Sequence, residues 1–149
     1  MKLVIQRVKK ASVVINNTIY SSIGKGIVLL AGFEKSDDHL DVEQEIMFIA
    51  NKIVNLRIFE DANGKMNLSL KDINGELLVI SNFTLAASIK KGRRPSFDNS
   101  LNPDEAKVLF EKLVNALKTL NINVKEGQFK SHMNVLIEND GPVTFIIER

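Results

Sequence analysis

Residues 133–147 read MNVLIENDGPVTFII, and this stretch decides the fold prediction. The runs on either side of NDGP are apolar and rich in β-branched residues, which predicts two strands, Met133–Ile137 and Val143–Ile147. Pro142 has no N–H for a β-ladder, and Gly141 can adopt backbone angles that other residues avoid. Because only about 5–6% of X-Pro bonds in folded proteins are cis, local sequence alone predicts an ordinary trans turn between the two strands.

Further short strands alternate with turn signals along the rest of the chain. We expect strands at Leu3–Val8, Ser12–Ile15, Thr18–Tyr20, Ile27–Phe33 and Leu77–Ile80. Asn16-Asn17 and Asp61–Gly64 are typical turn sequences between such runs. Strands joined in this way favour a largely antiparallel sheet.

Two helices are predicted from three-to-four spacing of apolar residues. The first opens near Ser36 and carries Val42, Ile46, Ile49 and Ile53. The second has Asn102 as its cap, Pro103 at its first position and Glu105 three residues after the cap. Its buried stripe would be Ala106, Leu109, Phe110, Leu113 and Leu117. The chain is therefore predicted to be one α+β domain over residues 1–149.

Length and composition limit the class of protein. A chain of 149 residues fits one domain with a substantial core. No apolar run approaches a membrane span, and the N-terminus enters a strand pattern, so we expect neither a membrane anchor nor a signal peptide. The absence of cysteine excludes disulfides and thiol chemistry and suits a cytoplasmic protein. The net charge of +2 is too small to indicate RNA binding, so any such contact must be local.

Two segments carry candidate chemistry. Ser81–Leu85 (SNFTL) places hydroxyls and an amide at the end of an apolar strand, where ligands are commonly held. The basic run Lys90, Lys91, Arg93 and Arg94 is either a solvated loop or a grip for RNA phosphates, and its place shortly after SNFTL favours RNA. Thr84 has the hydroxyl of an acyl-transfer nucleophile, but no base partner is evident, so a purely structural role stays open.

These segments belong to a set of motifs, which is IQRV at 5–8 with ASV at 11–13, LRIFED at 56–61 with GKMN at 64–67, SNFTL at 81–85, KKGRRPSF at 90–97 and NDGPVT at 139–144. The set resembles the D-aminoacyl-tRNA deacylase family, the chirality-proofreading enzymes of translation. The resemblance covers essentially the whole chain. It implies a homodimer with a curved, barrel-like sheet flanked by helices. It also implies hydrolysis of D-aminoacyl-tRNA, and of mischarged glycyl-tRNA, without metal or organic cofactor.

The resemblance also implies roles for individual residues. The terminal adenosine of tRNA would dock beside the SNFTL motif at Asn82, with Phe129 and Met133 near the adenine. Ser81, Phe83 and Thr84 would be the catalytic residues. Main-chain N–H groups near Phe83 and Thr84 would orient the ester and stabilise the oxyanion. Either the 2′-hydroxyl of the substrate or Thr84 would activate the reaction.

Chirality selection is assigned by the resemblance to a cis Gly141-Pro142 pair that reaches into the partner subunit's site. Its carbonyls would hold the substrate's amino group and exclude an L side chain, which is specificity by rejection. Arg7 matches the residue that holds these carbonyls in place. The dimer would therefore be required for activity.

The other ionisable residues are given ordinary interpretations. His39 is expected at the surface, and His132 is the better site candidate, although the family does not use histidine as a base. Asp37, Asp38, Asp41, Glu43 and Glu45 are expected to complement a helix dipole, not to bind metal. The two distant histidines give no zinc signature.

The sequence departs from the family at the adenosine site. Asn82 replaces the usual glutamine, and Lys130 and Ser131 replace small residues. A lysine there would either crowd the nucleotide or contact a phosphate. The alternative function is therefore a non-catalytic protein that binds the acceptor end of tRNA, favoured if Lys130 fills the pocket.

Overall fold

The computed structural model describes residues 1–39, 42–90 and 92–149, without the side chains of Asp38, His39 and Val42. Lys91 and Asp41, both named above, lie outside the described residues. The strands are β1 (Lys2–Ile15), β2 (Thr18–Ile23), β3 (Gly26–Gly32), β4 (Phe59–Glu60), β5 (Met66–Leu68), β6 (Glu76–Ser81), β7 (Asn123–Glu126) and β8 (Asn134–Glu148). The helices are α1 (Val42–Asn55) and α2 (Pro103–Thr119), with short 3-10 helices at Lys35–His39 and Phe83–Ala86.

One curved, barrel-like sheet organises the molecule. Its strands follow the order β2-β1-β3-β6-β7, and β8 pairs with β1 outside this path. β1 is antiparallel to β2, β3 and β8, while the β3–β6 and β6–β7 pairs are parallel. The predicted α+β class with a mostly antiparallel sheet is confirmed. β7 was not predicted, because Asn123–Glu126 has neither an apolar run nor clear alternation.

The central strands β3 and β6 are buried on both faces, which explains the continuous apolar run of β6. On one face Leu3, Ile5, Leu77 and Val79 pack against α1 and α2. On the other face lies a second apolar cluster, formed by Val8, Ala11, Val13, Ile23, Val28, Leu78 and Ile80. Strands that are half-exposed would instead alternate apolar and polar residues.

The region predicted as two strands and a trans turn is one strand with an interruption. β1 is 14 residues long, so it pairs with both halves of β8 in line. Gln6 pairs with Thr144 and Val8 with Asn139, leaving residues 140–143 outside the β1–β8 ladder. The Gly141-Pro142 bond is cis, so the expectation from local sequence is wrong and the one from the resemblance is confirmed.

Helix α2 forms where predicted, with the predicted cap, whereas α1 contains the predicted apolar residues but begins at Val42 and not near Ser36. The Asn102 side chain accepts hydrogen bonds from the N–H groups of Asp104 and Glu105 at 3.0 and 3.1 Å. The expected stripe is buried except for Ala106, which is half-buried. None of the helices in the described part of the chain is long and apolar enough to cross a membrane.

The acidic residues that were predicted to complement the dipole of α1 do not act as one group. Asp37 lies in a separate 3-10 helix, is 1% exposed and accepts a 2.6 Å hydrogen bond from the amino group of Met1. Asp37 therefore ties β1 to this segment and does not serve the dipole of α1. Glu43 and Glu45 do lie in the first turn of α1.

Candidate active site

A cavity of about 880 Å³ opens between the end of β6, the start of α2 and the segment before β8. Its volume lies in the range that suits a small-molecule or nucleoside ligand. Of the predicted site residues it is lined by Ser81, Asn82, Phe83, Phe129 and Met133. The structure thus brings together residues 81–83 and 129–133, which lie about fifty positions apart in sequence.

The SNFTL segment turns sharply at the cavity wall. Ser81 ends β6, and Asn82 caps the 3-10 helix Phe83–Ala86 by accepting a 3.3 Å hydrogen bond from the N–H of Thr84. The Thr84 hydroxyl also donates to the Asn82 amide oxygen, at 2.5 Å. Asparagine is a good capping residue, so the short side chain at position 82 is turned back onto the main chain.

The N–H of Phe83 is the donor left for a ligand. The first N–H groups of a helix have no partner inside it, and among the described residues no acceptor bonds this one. The N–H of Thr84 is already bonded to Asn82. Of the two predicted N–H groups, the one of Phe83 is therefore available without rearrangement.

The Thr84 side chain lies outside the cavity lining. Its hydroxyl donates a hydrogen bond to the Asn82 amide oxygen, and an amide oxygen is too weak a base to activate it. The described residues contain no group of three or more His, Asp or Glu side chains placed to share a metal ion. Among the described residues, the cavity therefore offers hydrogen-bond donors and apolar walls, and no lining hydroxyl that is hydrogen-bonded to a base.

The cavity is also lined by Phe129, Lys130, His132 and Met133. Phe129 packs 5.9 Å from Phe110 of α2, centroid to centroid, and Met133 packs against the second apolar cluster. Lys130 has a φ of +61°, and its ammonium lies 3.5 Å from Asp104 in the first turn of α2. The lysine therefore lines the cavity without filling it.

Gly141 and Pro142 lie apart from this cavity, in the interruption of β8, and both are exposed. Asn139 holds one side of the interruption, since its Oδ1 accepts a 2.8 Å hydrogen bond from the N–H of Val143. Arg7 holds the other side through Nε, which donates to the Asp140 carbonyl at 3.0 Å. The hydrogen-bonded carbonyl is thus that of the residue before the Gly-Pro pair, so Arg7 contacts the main chain that leads into the pair.

Arg7 also connects this region to the β4–β5 hairpin. It is 5% exposed, and Nη1 donates to the Ile58 carbonyl at 2.7 Å.

In the hairpin turn, hydrogen bonds from the N–H groups of Lys65 and Asn63 lower the pKa of Asp61. Hydrogen bonds from the Ser69 N–H and hydroxyl likewise lower the pKa of Asp72, in the turn that follows.

The described residues of the basic run, Lys90, Arg93 and Arg94, lie in a loop beside the cavity. Ser88 and Ser96 close it by exchanging two backbone hydrogen bonds of 2.8 and 2.9 Å. Lys90, Arg93 and Arg94 are exposed within it and do not line the cavity. The described carboxylates form no salt bridge with these three side chains.

Several cavity residues were not predicted from the sequence. They are Phe97, Ser100 and Leu101 after the basic loop, Asn102, Pro103 and Ala106 at the start of α2, and Val135 and Ile137 of β8. Phe97 carried a usable signal, because it is an aromatic residue directly after a basic run. The others carried none, since they reach the cavity only through the packing of α2 and β8.

Comparison with known proteins identifies the family. The model of the family described as D-Tyr-tRNA(Tyr) deacylase matches residues 4–148. This chain belongs to that family. A D-aminoacyl-tRNA deacylase of Thermodesulfovibrio yellowstonii is 51% identical over 147 residues, covering 99% of this chain and 98% of the relative. The D-aminoacyl-tRNA deacylase of Pseudoalteromonas translucida is 54% identical over 145 residues, covering 97% of each chain.

Solved structures of similar fold agree with this membership. A structure titled c-Myc DNA Unwinding Element Binding Protein has a TM-score of 0.90 and 36% identity, covering 100% of this chain and 99% of the other. A structure titled as a probable eukaryotic D-amino acid tRNA deacylase has a TM-score of 0.84, covering 98% of this chain and 97% of the other. Its identity is 15%, so this second likeness concerns the fold alone.

Proposed function

We propose that this protein hydrolyses the ester bond of D-aminoacyl-tRNA, releasing tRNA and the free amino acid. Membership of the deacylase family supports the reaction class. The observation that carries the proposal is the cavity itself, whose wall combines a free Phe83 N–H with the aromatic and thioether side chains of Phe129 and Met133. The substrate is a component of translation, so we place the reaction in the cytoplasm.

The cavity suits the terminal adenosine and its ester. Phe129 and Met133 offer an aromatic face and a thioether to the adenine. The N–H of Phe83 would stabilise the negative charge that develops on the ester oxygen when water attacks the carbonyl carbon. Ser81 and Asn82 also line the cavity and would contact the ribose.

Activation of water is assigned to the substrate. Thr84 lies outside the cavity lining, and its hydroxyl donates a hydrogen bond to the Asn82 amide oxygen. Neither its position nor this hydrogen bond suits a nucleophile. The neighbouring 2′-hydroxyl of the ribose would accept a proton from the attacking water and pass its own proton to the 3′ oxygen, as the bond from the carbonyl carbon to that oxygen breaks. This mechanism needs no metal or organic cofactor.

Chirality selection is assigned to Gly141 and Pro142 acting across a homodimer. The pair is exposed, yet Arg7 and Asn139 hold its two flanks by hydrogen bonds. A rigid, exposed backbone segment that lies apart from its own cavity is suited to enter the cavity of a second subunit. There it would exclude L side chains sterically, while D side chains and glycine would be accepted.

The basic loop is proposed to bind tRNA phosphates. Lys90, Arg93 and Arg94 are exposed beside the cavity, and we add Lys91 from the sequence alone. Each phosphate neutralised on a single strand changes the slope of log affinity against log salt by about −0.7. Replacing Arg93 and Arg94 by glutamine should weaken tRNA binding and flatten that slope. An unchanged slope would remove the loop from the interface.

The deciding experiment compares hydrolysis of D-tyrosyl-tRNA, L-tyrosyl-tRNA and glycyl-tRNA by the purified protein. Loss of the D and glycyl esters, with the L ester preserved, is the expected result. If all three esters survive while tRNA still binds, the protein is the non-catalytic acceptor-end binder. The cavity left open beside Lys130 favours the enzyme over that alternative.

A further inference from the structure

Two aromatic side chains stand exposed together at the cavity. The ring centroids of Phe83 and Phe97 lie 5.3 Å apart at an interplanar angle of 54°. Phe83 is 60% exposed and Phe97 is 43% exposed, although both line the cavity. The mechanism above uses the main chain of Phe83 and neither ring, so the pair has no role in it.

The backbone fixes the position of this pair. The Ser88–Ser96 hydrogen bonds hold the chain just before Phe97, and the N–H of Ser100 donates to the Phe97 carbonyl at 2.9 Å. The Ser100 hydroxyl also donates to the Phe83 carbonyl, at 3.4 Å. Both rings therefore project from main chain that is held before any ligand arrives, which limits the entropy lost on binding.

The charge beside the pair indicates what covers it. Phe97 follows immediately after the neck of the basic loop that carries Lys90, Arg93 and Arg94. Basic groups that track a backbone, next to aromatic rings that stack bases, are the combination by which proteins bind single-stranded nucleic acid. Lysine, by contrast, is depleted at the centre of protein–protein interfaces, although arginine and phenylalanine are enriched there.

We propose that Phe83 and Phe97 form a stacking platform for the nucleobase that precedes the terminal adenosine of a single-stranded RNA 3′ end. This inference rests on the proposed function, in which the adenosine itself occupies the cavity. The basic loop would bind the phosphates on the 5′ side of the stacked base. The platform thereby extends recognition from one nucleotide to the unpaired end of the acceptor.

The test uses Phe97→Leu, which removes the aromatic face but keeps an apolar side chain, and Phe97→Tyr, which keeps the face. Ile89→Ala is the matched control, since Ile89 is 79% exposed on the same loop but has no aromatic ring. Binding is read from uncharged tRNA with 2-aminopurine as the penultimate base, because stacking on a ring quenches its fluorescence. This readout does not require hydrolysis.

We expect Phe97→Leu to abolish the quenching and to weaken tRNA binding about tenfold, as for the loss of one stacked base. Phe97→Tyr and Ile89→Ala should bind within about twofold of the parent, well below that loss. In hydrolysis, Phe97→Leu should impair D-tyrosyl-tRNA about tenfold more than D-tyrosyl-adenosine, which lacks the penultimate base.

Three outcomes would overturn the platform. Quenching that survives Phe97→Leu would place the base elsewhere. Equal losses on the two esters would mean that Phe97 only shapes the adenosine cavity. A shift of Phe97→Leu from dimer to monomer in light scattering would mean that a second copy of the chain covers the pair. A parent protein that quenches the probe but hydrolyses neither ester would instead refute the proposed function and leave the platform standing.

Discussion

The Nε of Arg7 donates a 3.0 Å hydrogen bond to the main-chain carbonyl of Asp140, the residue before Gly141. The same guanidinium reaches the Ile58 carbonyl through Nη1 at 2.7 Å. One buried side chain therefore links the interruption of β8 to the β4–β5 hairpin. Arginine suits this task because its donors are fixed in one plane and can serve two acceptors at once.

Replacing Arg7 by lysine should therefore impair both stability and chirality selection. A lysine ammonium on its flexible stem cannot reproduce both hydrogen bonds, so a buried carbonyl is left without its donor. We expect a loss of about 1–3 kcal/mol in the free energy of unfolding, together with a lower ratio of D to L hydrolysis. Urea unfolding and paired deacylation assays measure the two effects. Lys10→Met, on the same strand but with a side chain 75% exposed, is the control.

Gly141→Ala should disturb the interruption of β8 directly. Gly141 has a φ of +138°, and an added Cβ would lie 2.6 Å from Cγ2 and 2.9 Å from the main-chain N of Val143. We expect a cost of about 1–3 kcal/mol for the unfavourable backbone angle and a loss of discrimination against L-tyrosyl-tRNA. Gly64→Ala is a useful control, because its φ is also positive and nothing lies within 4 Å of the added atom. Full discrimination in Gly141→Ala would argue against a wall at this position.

Thr84→Val separates the two proposed ways of activating water. The variant keeps the shape of the side chain but removes the hydroxyl that donates to Asn82. Because that hydroxyl faces no base, we expect most of the deacylation rate to survive, measured as kcat on D-tyrosyl-tRNA. A fall of about 100-fold or more would be the size expected for a lost catalytic group, and would return Thr84 to the mechanism.

Lys130→Gly should stabilise the protein or leave its stability unchanged. Position 130 has a φ of +61°, which costs residues other than glycine about 1–2 kcal/mol. The ion pair with Asp104 that is lost has side chains 61% and 96% exposed, and pairs of this kind contribute about 0–1 kcal/mol. Thermal unfolding should show a Tm equal to or above that of the parent. Lys130→Val should lower the Tm, and a stable valine variant would contradict this account.

The pH dependence of stability should include a contribution from Asp61 and Asp72. Hydrogen bonds lower the pKa of both carboxyl groups below the usual 3.8 in the folded state. Their contribution is therefore fully present above the unfolded-state pKa and is lost as the pH falls through the lowered folded-state values. The double variant Asp61→Asn, Asp72→Asn should be less stable at neutral pH and lose less stability on acidification. Urea titrations below pH 5 test this, with Glu111→Gln on α2 as the control. If the free energies of unfolding of the parent and the double variant fall in parallel below pH 5, the prediction is contradicted.

Local sequence determined most of the secondary structure. Asn102 and Pro103 marked the start of α2, and Asn16-Asn17 marked a turn in which both residues have positive φ, 50° and 60°. These signals work because caps and turns depend on the chemistry of a few adjacent residues. The order of the motifs also indicated the family, since five segments matched in register.

Only the tertiary structure decided how β8 is built and where its Gly-Pro pair lies. Whether the two apolar runs of residues 133–147 turn back or continue in line depends on the strand beside them. β1 is long enough to pair with both runs, so they continue. Arg7 reaches Asp140 across 133 positions of sequence, and no local pattern records such a contact.

The cavity was likewise decided by packing. SNFTL and the residues around Phe129 could each be recognised, but their shared wall exists because β6 ends where the segment before β8 passes the start of α2. The pairing of Phe83 with Phe97 depends on hydrogen bonds at Ser88, Ser96 and Ser100 that close a loop. Sequence thus specifies which groups are present, while long-range pairing of the strands and closure of the loops specify which of them meet.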